Sequence, residues 1–72
     1  MITNDLRIIL AERYITKTDF AKDTGISRKT ITAICNNKIT MIRLETINTI
    51  CNKLDITPTE FFNYVPDTNE EE

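Results

Sequence analysis

The 72-residue sequence predicts an all-α fold of five short helices in one domain. Three observations carry this. Apolar residues recur at spacings of three and four along most of the chain, the period of a helix that buries one side. Residues suited to helix ends fall between those stripes, among them Thr18, Gly25, Ser27, Asn36-Asn37 and Thr57-Pro58. No run alternates apolar and polar residues for long enough to read as a strand.

The first predicted helix covers 4–14. Asn4 or Thr3 caps it, and Asp5 sits in its first turn, where the helix dipole favours an anion. Leu6, Ile9, Leu10 and Tyr14 form its apolar stripe. Ile15-Thr16-Lys17 breaks the pattern. A second helix, 17–24, takes Thr18 as its cap and places Phe20, Ala21 and Thr24 on one face. Gly25 stops it, because glycine most readily adopts the left-handed conformation that ends a helix. Ser27 caps the third helix, 28–36, which buries Ile31, Ile34 and Cys35 and ends at Asn36-Asn37. Residues 39–43 form a loop. The clearest stripe, Leu44, Ile47, Ile50, Cys51 and Leu54, defines the fourth helix at 43–54. Thr57-Pro58 starts the fifth, 58–63, with Glu60 in the capping-box position. Phe61, Phe62 and Tyr64 then close over the core. The domain is accordingly 1–66, and 67–72 is an acidic, disordered tail.

Composition narrows the function. A 40% apolar, 28% charged chain of this length builds one modest core. It has one glycine and no histidine. A Gly-rich phosphate loop is therefore excluded, and the usual general base and commonest metal ligand are missing. Cys35 and Cys51 have no Cys or His neighbours and form no zinc pattern. They read as small reduced apolar residues, with a disulfide as the lesser alternative. No enzyme activity, metal, cofactor or small-molecule ligand is expected. With no membrane-length apolar run and no signal peptide, the expected location is the cytoplasm.

The net charge of −2 hides an uneven distribution. Four of the eleven acids, Asp67, Glu70, Glu71 and Glu72, lie in the last six residues. From Arg13 to Arg43, seven basic residues face only Asp19 and Asp23, a local excess of five positive charges. A basic middle is the footprint of a phosphate-facing surface.

The stretch from Lys17 through Lys38 holds two short helices joined by a tight turn at Gly25. Ala21 keeps the crossing of the two helices close. Phe20, Ile26, Ile31 and Ile34 supply the core beneath them. The start of the third helix is thereby held outward, able to enter a major groove. The pattern apolar-Ala-x-x-x-Gly-Ile-Ser, Ile-x-x-Ile, Asn-Asn-Lys and a later Leu-Asp-Ile-Thr-Pro resembles the XRE group of helix-turn-helix regulators. This is the lambda-repressor-like family of phage repressors and Cro proteins, and the likeness spans about residues 4–65.

The resemblance implies binding of double-stranded operator DNA in a bacterial host. Ser27, Arg28, Lys29, Thr32 and Ala33 take the positions that read base edges. Lys17, Asn36, Asn37, Lys38 and Arg43 take those that grip phosphates. Two departures stand out: Lys17, Arg28 and Lys29 replace amides frequent in the family, and Asn37 replaces a glycine. A rival role also follows from resemblance, to small modulator-of-repression proteins of temperate phages of Gram-positive bacteria. There the chain would be an antirepressor in a lysis/lysogeny switch, masking the DNA-binding domain of its cognate phage repressor. The acidic total charge and the apolar 39–42 loop suit that role. In that role the face of Lys17, Phe20, Arg28, Lys29 and Thr32 would meet protein instead of DNA, and the candidate protein-contacting residues are Phe20, Ile39, Met41, Ile42, Phe61 and Phe62. A homodimer would have to use the fifth helix, that loop or Met1-Ile2.

Overall fold

The structure, a computed structural model, describes residues 1–67. Its order is β1 (Ile2–Asn4), α1 (Leu6–Glu12), α2 (Lys17–Thr24), α3 (Arg28–Cys35), α4 (Leu44–Leu54), α5 (Pro58–Phe61) and β2 (Phe62–Tyr64). The five helices are those the sequence predicts. The two-stranded antiparallel ribbon corrects the all-α expectation. It pairs Ile2 with Tyr64, Thr3 with Asn63 and Asn4 with Phe62. Three-residue strands are too short to show a period of two, so the ribbon left no signal in the alternation.

The ribbon shortens two helices. Asn4, expected inside the first helix, is the last residue of β1, and α1 begins at Leu6. Asp5 occupies the cap position without a side-chain cap bond. Asn4 does the work instead, since its Oδ1 accepts from the Leu6 amide at 3.0 Å. At the other end, α5 stops at Phe61 and Phe62 turns extended, with φ −98° and ψ 147°. The β-prone Phe-Asn-Tyr then follows the ribbon and not the helix.

Four helices end at a left-handed residue: Tyr14 (φ 57°) beyond α1, Gly25 (76°), Asn37 (55°) and Asp55 (53°). Beyond Tyr14 the Ile15 amide reaches back to the Leu10 carbonyl at 2.9 Å. Beyond Asn37 and Asp55, Lys38 and Ile56 reach Ala33 and Cys51 at 2.9 and 3.0 Å. These bonds satisfy carbonyls a helix end would otherwise leave open. Tyr14 therefore leaves the apolar stripe and stands 94% exposed. The cap of α2 is Thr16, not Thr18, and its side chain accepts from the Asp19 amide at 3.1 Å. Ser27 and Thr57 cap α3 and α5 as expected, and Thr57 with Glu60 completes the capping box.

One core holds Leu6, Leu10, Phe20, Ile31, Ile34, Cys35, Ile50, Cys51, Leu54 and Phe61. Leu44 does not join it; the first residue of α4 lies beyond the core and is 82% exposed. Tyr64 is likewise exposed, and Phe62 is half-buried, its ring edge-on to Phe61 at 4.7 Å. Cys35 and Cys51 are both buried and free. Of the predicted tail, Asp67 accepts from the N-terminal ammonium at 3.1 Å, while 68–72 lie outside the described residues. No helix among the described residues is long and apolar enough to cross a membrane.

Candidate nucleic-acid interface

Four local features fix the α2-turn-α3 unit. Thr16 starts α2 and Gly25 stops it, its amide donating to the Ala21 carbonyl at 2.9 Å. A Cβ on Gly25 would meet nothing within 4 Å, so the glycine is required by its φ of +76° and not by lack of room. The Thr24 hydroxyl donates to the Phe20 carbonyl at 2.7 Å and accepts from the Ile26 amide at 3.2 Å, which ties the turn to the helix before it. Ser27 Oγ accepts from the Thr30 amide at 3.2 Å and donates to Thr30 Oγ1 at 2.9 Å. The Ser27 hydroxyl is thus committed to capping α3, although the sequence suggests it as a base reader.

The helical period sorts the rest of α3. Ile31, Ile34 and Cys35 are buried. At 100° per residue Lys29, Ala33 and Asn36 stand opposite them, with Thr32 beside that line and Arg28 on the flank. Arg28, Lys29 and Asn36 are exposed, and Thr32 and Ala33 half-exposed. α3 therefore presents an outward strip of two long cations, a methyl-bearing hydroxyl, a small apolar residue and an amide. Cations of this kind can donate to guanine, and the two methyls can meet thymine.

No polar or charged side chain is buried among the described residues. Lys17, Arg28, Lys29 and Lys38 form no ion pair among them either. Arg43 pairs with Glu45 at 3.8 Å, with both side chains more than 80% exposed. Such an open pair is worth little in water and yields readily to a phosphate. Arg43 shares a surface pocket with Gly25, Ile26 and Thr30, so it lies beside the turn that launches α3. Lys17 lies at the other end: its charge lowers the Cys35 thiol pKa against the larger upward push of burial, and Arg7 acts the same way. The cations thus flank both ends of α3. Arg7, which sequence reasoning did not single out, thus joins Lys17 near the end of α3. It falls outside the Arg13–Arg43 stretch, and only packing of α1 against α3 brings it close.

One predicted phosphate contact carries a structural duty. Asn37 Oδ1 accepts from the Asn4 amide at 3.0 Å and from Asn4 Nδ2 at 2.9 Å, leaving its own Nδ2 for a ligand. Asn4 Nδ2 also donates to the Ile34 carbonyl at 2.9 Å. One asparagine thus locks β1 to the end of α3. Arg13 is committed as well, its guanidinium donating to the Leu54 carbonyl at the end of α4. Among the candidate protein-contacting residues, Phe20 and Phe61 are core and 2% and 0% exposed, so no partner reaches them. Ile39, Ile42 and Phe62 are half-exposed, and Met41 is exposed.

Two short helices at a glycine turn, with the second held outward between cationic flanks, define a helix-turn-helix DNA-binding domain. The chain belongs to the Cro/C1-type HTH DNA-binding domain family, which matches residues 5–67. It is similar to the uncharacterized HTH-type transcriptional regulator YozG of Bacillus subtilis (strain 168), at 29% identity over 63 residues, covering 88% of this chain and 75% of that protein. It is also similar to the crystal structure of a protein from Bacteroides fragilis assigned as DNA-binding, with a TM-score of 0.76 and 28% identity. That match covers 88% of this chain and 100% of the other.

Proposed function

We propose that the chain is a transcriptional regulator that reads operator DNA with the outward strip of α3. The observation that carries this reading is that Arg28 and Lys29 have no ion-pair partner among the described residues, on a helix whose start is pinned by Ser27 and whose ends are flanked by Arg43 and by Lys17. Lys29, Thr32, Ala33 and Arg28 meet base edges. Lys17, Lys38, Arg43, Asn36 and the free amide of Asn37 meet phosphates, with Arg7 beside Lys17. Ser27 positions α3 and acts on bases only through it. The regulatory assignment of the B. subtilis relative and the DNA-binding assignment of the B. fragilis protein agree with this role.

The test is a fluorescence-anisotropy titration against operator DNA selected from a random pool, repeated across salt concentrations. The three cationic phosphate contacts, Lys17, Lys38 and Arg43, give a slope of log affinity on log salt of about −3 per protomer. Lys38→Ala and Arg43→Ala should each flatten it by about one and weaken all sequences alike. Lys29→Ala should relax discrimination at one base position, by roughly 1–3 kcal/mol. The antirepressor reading predicts the opposite pair of results. The protein would bind no selected DNA at low salt, yet it would release a phage repressor from its operator, as a gel shift with both proteins would show.

A further inference from the structure

Asn37 holds a left-handed conformation, with φ 55°, just beyond α3. Glycine takes that conformation at less cost, so the turn itself does not call for a side chain. What the side chain adds is a carboxamide, exposed and next to the exposed Lys38. Its Oδ1 accepts from the Asn4 backbone amide at 3.0 Å and from Asn4 Nδ2 at 2.9 Å. Both partners can only donate, so the carboxamide cannot turn over without setting its own Nδ2 against two N–H groups. Nδ2 is therefore held on the side away from Asn4, and it has no hydrogen-bond partner among the described residues.

Asn4 is itself held from several sides. Its backbone pairs with Phe62 across the ribbon, and the next amide, that of Asp5, donates to the Phe61 carbonyl at 2.9 Å. Its Oδ1 accepts from the Leu6 amide at 3.0 Å. Its Nδ2 also donates to the Ile34 carbonyl at 2.9 Å, and the same carbonyl accepts from the Asn37 amide at 3.0 Å. Asn4, the Ile34 carbonyl and Asn37 thus close a ring of contacts. Neither side chain can change rotamer without breaking one of its bonds.

We propose that Asn4 is a positioning residue for DNA binding: by holding Asn37 Oδ1 it aims the Asn37 Nδ2 donors at a backbone phosphate before the DNA arrives. This role rests on the reading of DNA by α3. An exposed asparagine left to itself samples several rotamers, and fixing it in a complex lowers affinity. Here the chain fixes it on folding. The ribbon has no charged residue to offer a phosphate, and it takes part in binding through this one hydrogen-bonded pair. Because Asn4 is set by the return of the chain at Phe62, the two ends of the domain together adjust the grip at the end of α3.

A double-mutant cycle of Asn4→Ala and Asn37→Gly in the full chain tests this, read by fluorescence anisotropy on the duplex that the wild type selects from a random pool. Asn4→Ala keeps the backbone donor to Asn37 Oδ1, so the carboxamide is loosened and not released, and affinity per protomer should fall roughly threefold. Asn37→Gly suits the φ of 55° but removes the donor to phosphate, and should weaken binding about tenfold. Adding Asn4→Ala to Asn37→Gly should then change nothing, because no carboxamide is left to aim. In a Lys38→Ala background, where the carboxamide remains, Asn4→Ala should still weaken binding roughly threefold. A neutral amide releases no counterion, so Asn4→Ala and Asn37→Gly should keep the wild-type salt slope and shift the line in parallel. Circular dichroism of the same samples gives the folded fraction, and affinities are compared per folded chain. An Asn4→Ala loss of equal size with and without the Asn37 side chain is what a purely structural role gives, and it overturns the inference. So does an Asn4→Ala protein that binds as tightly as the wild type. A wild type that binds no selected DNA refutes the proposed function and this inference with it, whereas binding in which the two residues do not couple refutes the inference alone.

Discussion

Removing the Asn4 carboxamide should cost this domain more than any other polar side chain on its surface. Asn4→Ala leaves the ribbon's backbone pairing intact but deletes three side-chain hydrogen bonds. The Leu6 amide, at the start of α1, loses its acceptor at 3.0 Å. The Ile34 carbonyl, near the end of α3, loses its donor at 2.9 Å. Both groups are partly buried. Asn37 Oδ1 loses one donor but keeps the Asn4 amide at 3.0 Å. Charging about 1 kcal/mol for each of the two partly buried groups, and little for the exposed one, gives ~2 kcal/mol. A chain of this length has a total stability of about 4–11 kcal/mol, so this is a large share. At ~4–8 °C per kcal/mol, the midpoint should fall by about 8–16 °C. Urea denaturation followed by circular dichroism should show the midpoint shift with the m-value unchanged. Asn4→Asp keeps the oxygen that Leu6 needs but turns an acceptor toward the Ile34 carbonyl and Asn37 Oδ1, so it should recover less than half of the loss. A cost under about 0.5 kcal/mol for Asn4→Ala would mean that water replaces these bonds and that the lock between β1 and α3 is not structural.

Two further outcomes follow from the fold. Gly25→Ala should cost only about 1–2 kcal/mol, the penalty for a left-handed alanine, because the new Cβ meets no atom; Gly25→Asn should cost less, and a loss above ~3 kcal/mol in urea titrations would point to a clash instead. Burial pushes both thiols above the ordinary range, the Cys35 shift being partly offset by Lys17 and Arg7 and the Cys51 shift reinforced by Glu60. A raised folded pKa means that the unfolded chain loses its protons first, so stability should be flat below about pH 8.5 and fall above it. The Cys35→Ala, Cys51→Ala double variant should lose that alkaline slope, and native thiols should react with a disulfide reagent no faster than the chain opens.

The helical part of the fold was legible because its signals are local. Gly25, Ser27 and Thr57-Pro58 act on the residues beside them, and Ile31, Ile34, Ile50 and Leu54 fall on period. The sequence was silent where distant residues meet. Asn4 looks like a helix cap, and only the return of the chain at Phe62 draws it into a strand. Tyr14 fits the stripe of α1 until the left-handed turn swings it outward. Phe20 and Phe61, which could have been exposed anchors for a partner, are drawn into the single core. The candidate site divides in the same way. Arg28 and Lys29 were readable from their offset after Gly25, while Arg7 became visible only through the packing of α1 beside α3. The Ser27 hydroxyl and the Asn37 Oδ1 are spent within the chain, which only the folded contacts with Thr30 and Asn4 reveal.

The left-handed helix ends leave an unclaimed reserve. Gly25 takes that conformation freely, but Tyr14, Asn37 and Asp55 hold it with side chains attached. Asn37 is repaid through its link to Asn4. Tyr14 is 94% exposed, and its ring has almost nothing to repay it with. The cheapest route to a hardier version of this protein therefore runs through a residue that is not part of the outward strip of α3. If the strip of α3 reads DNA as proposed, thermal tolerance and DNA choice can be altered separately in a very small chain.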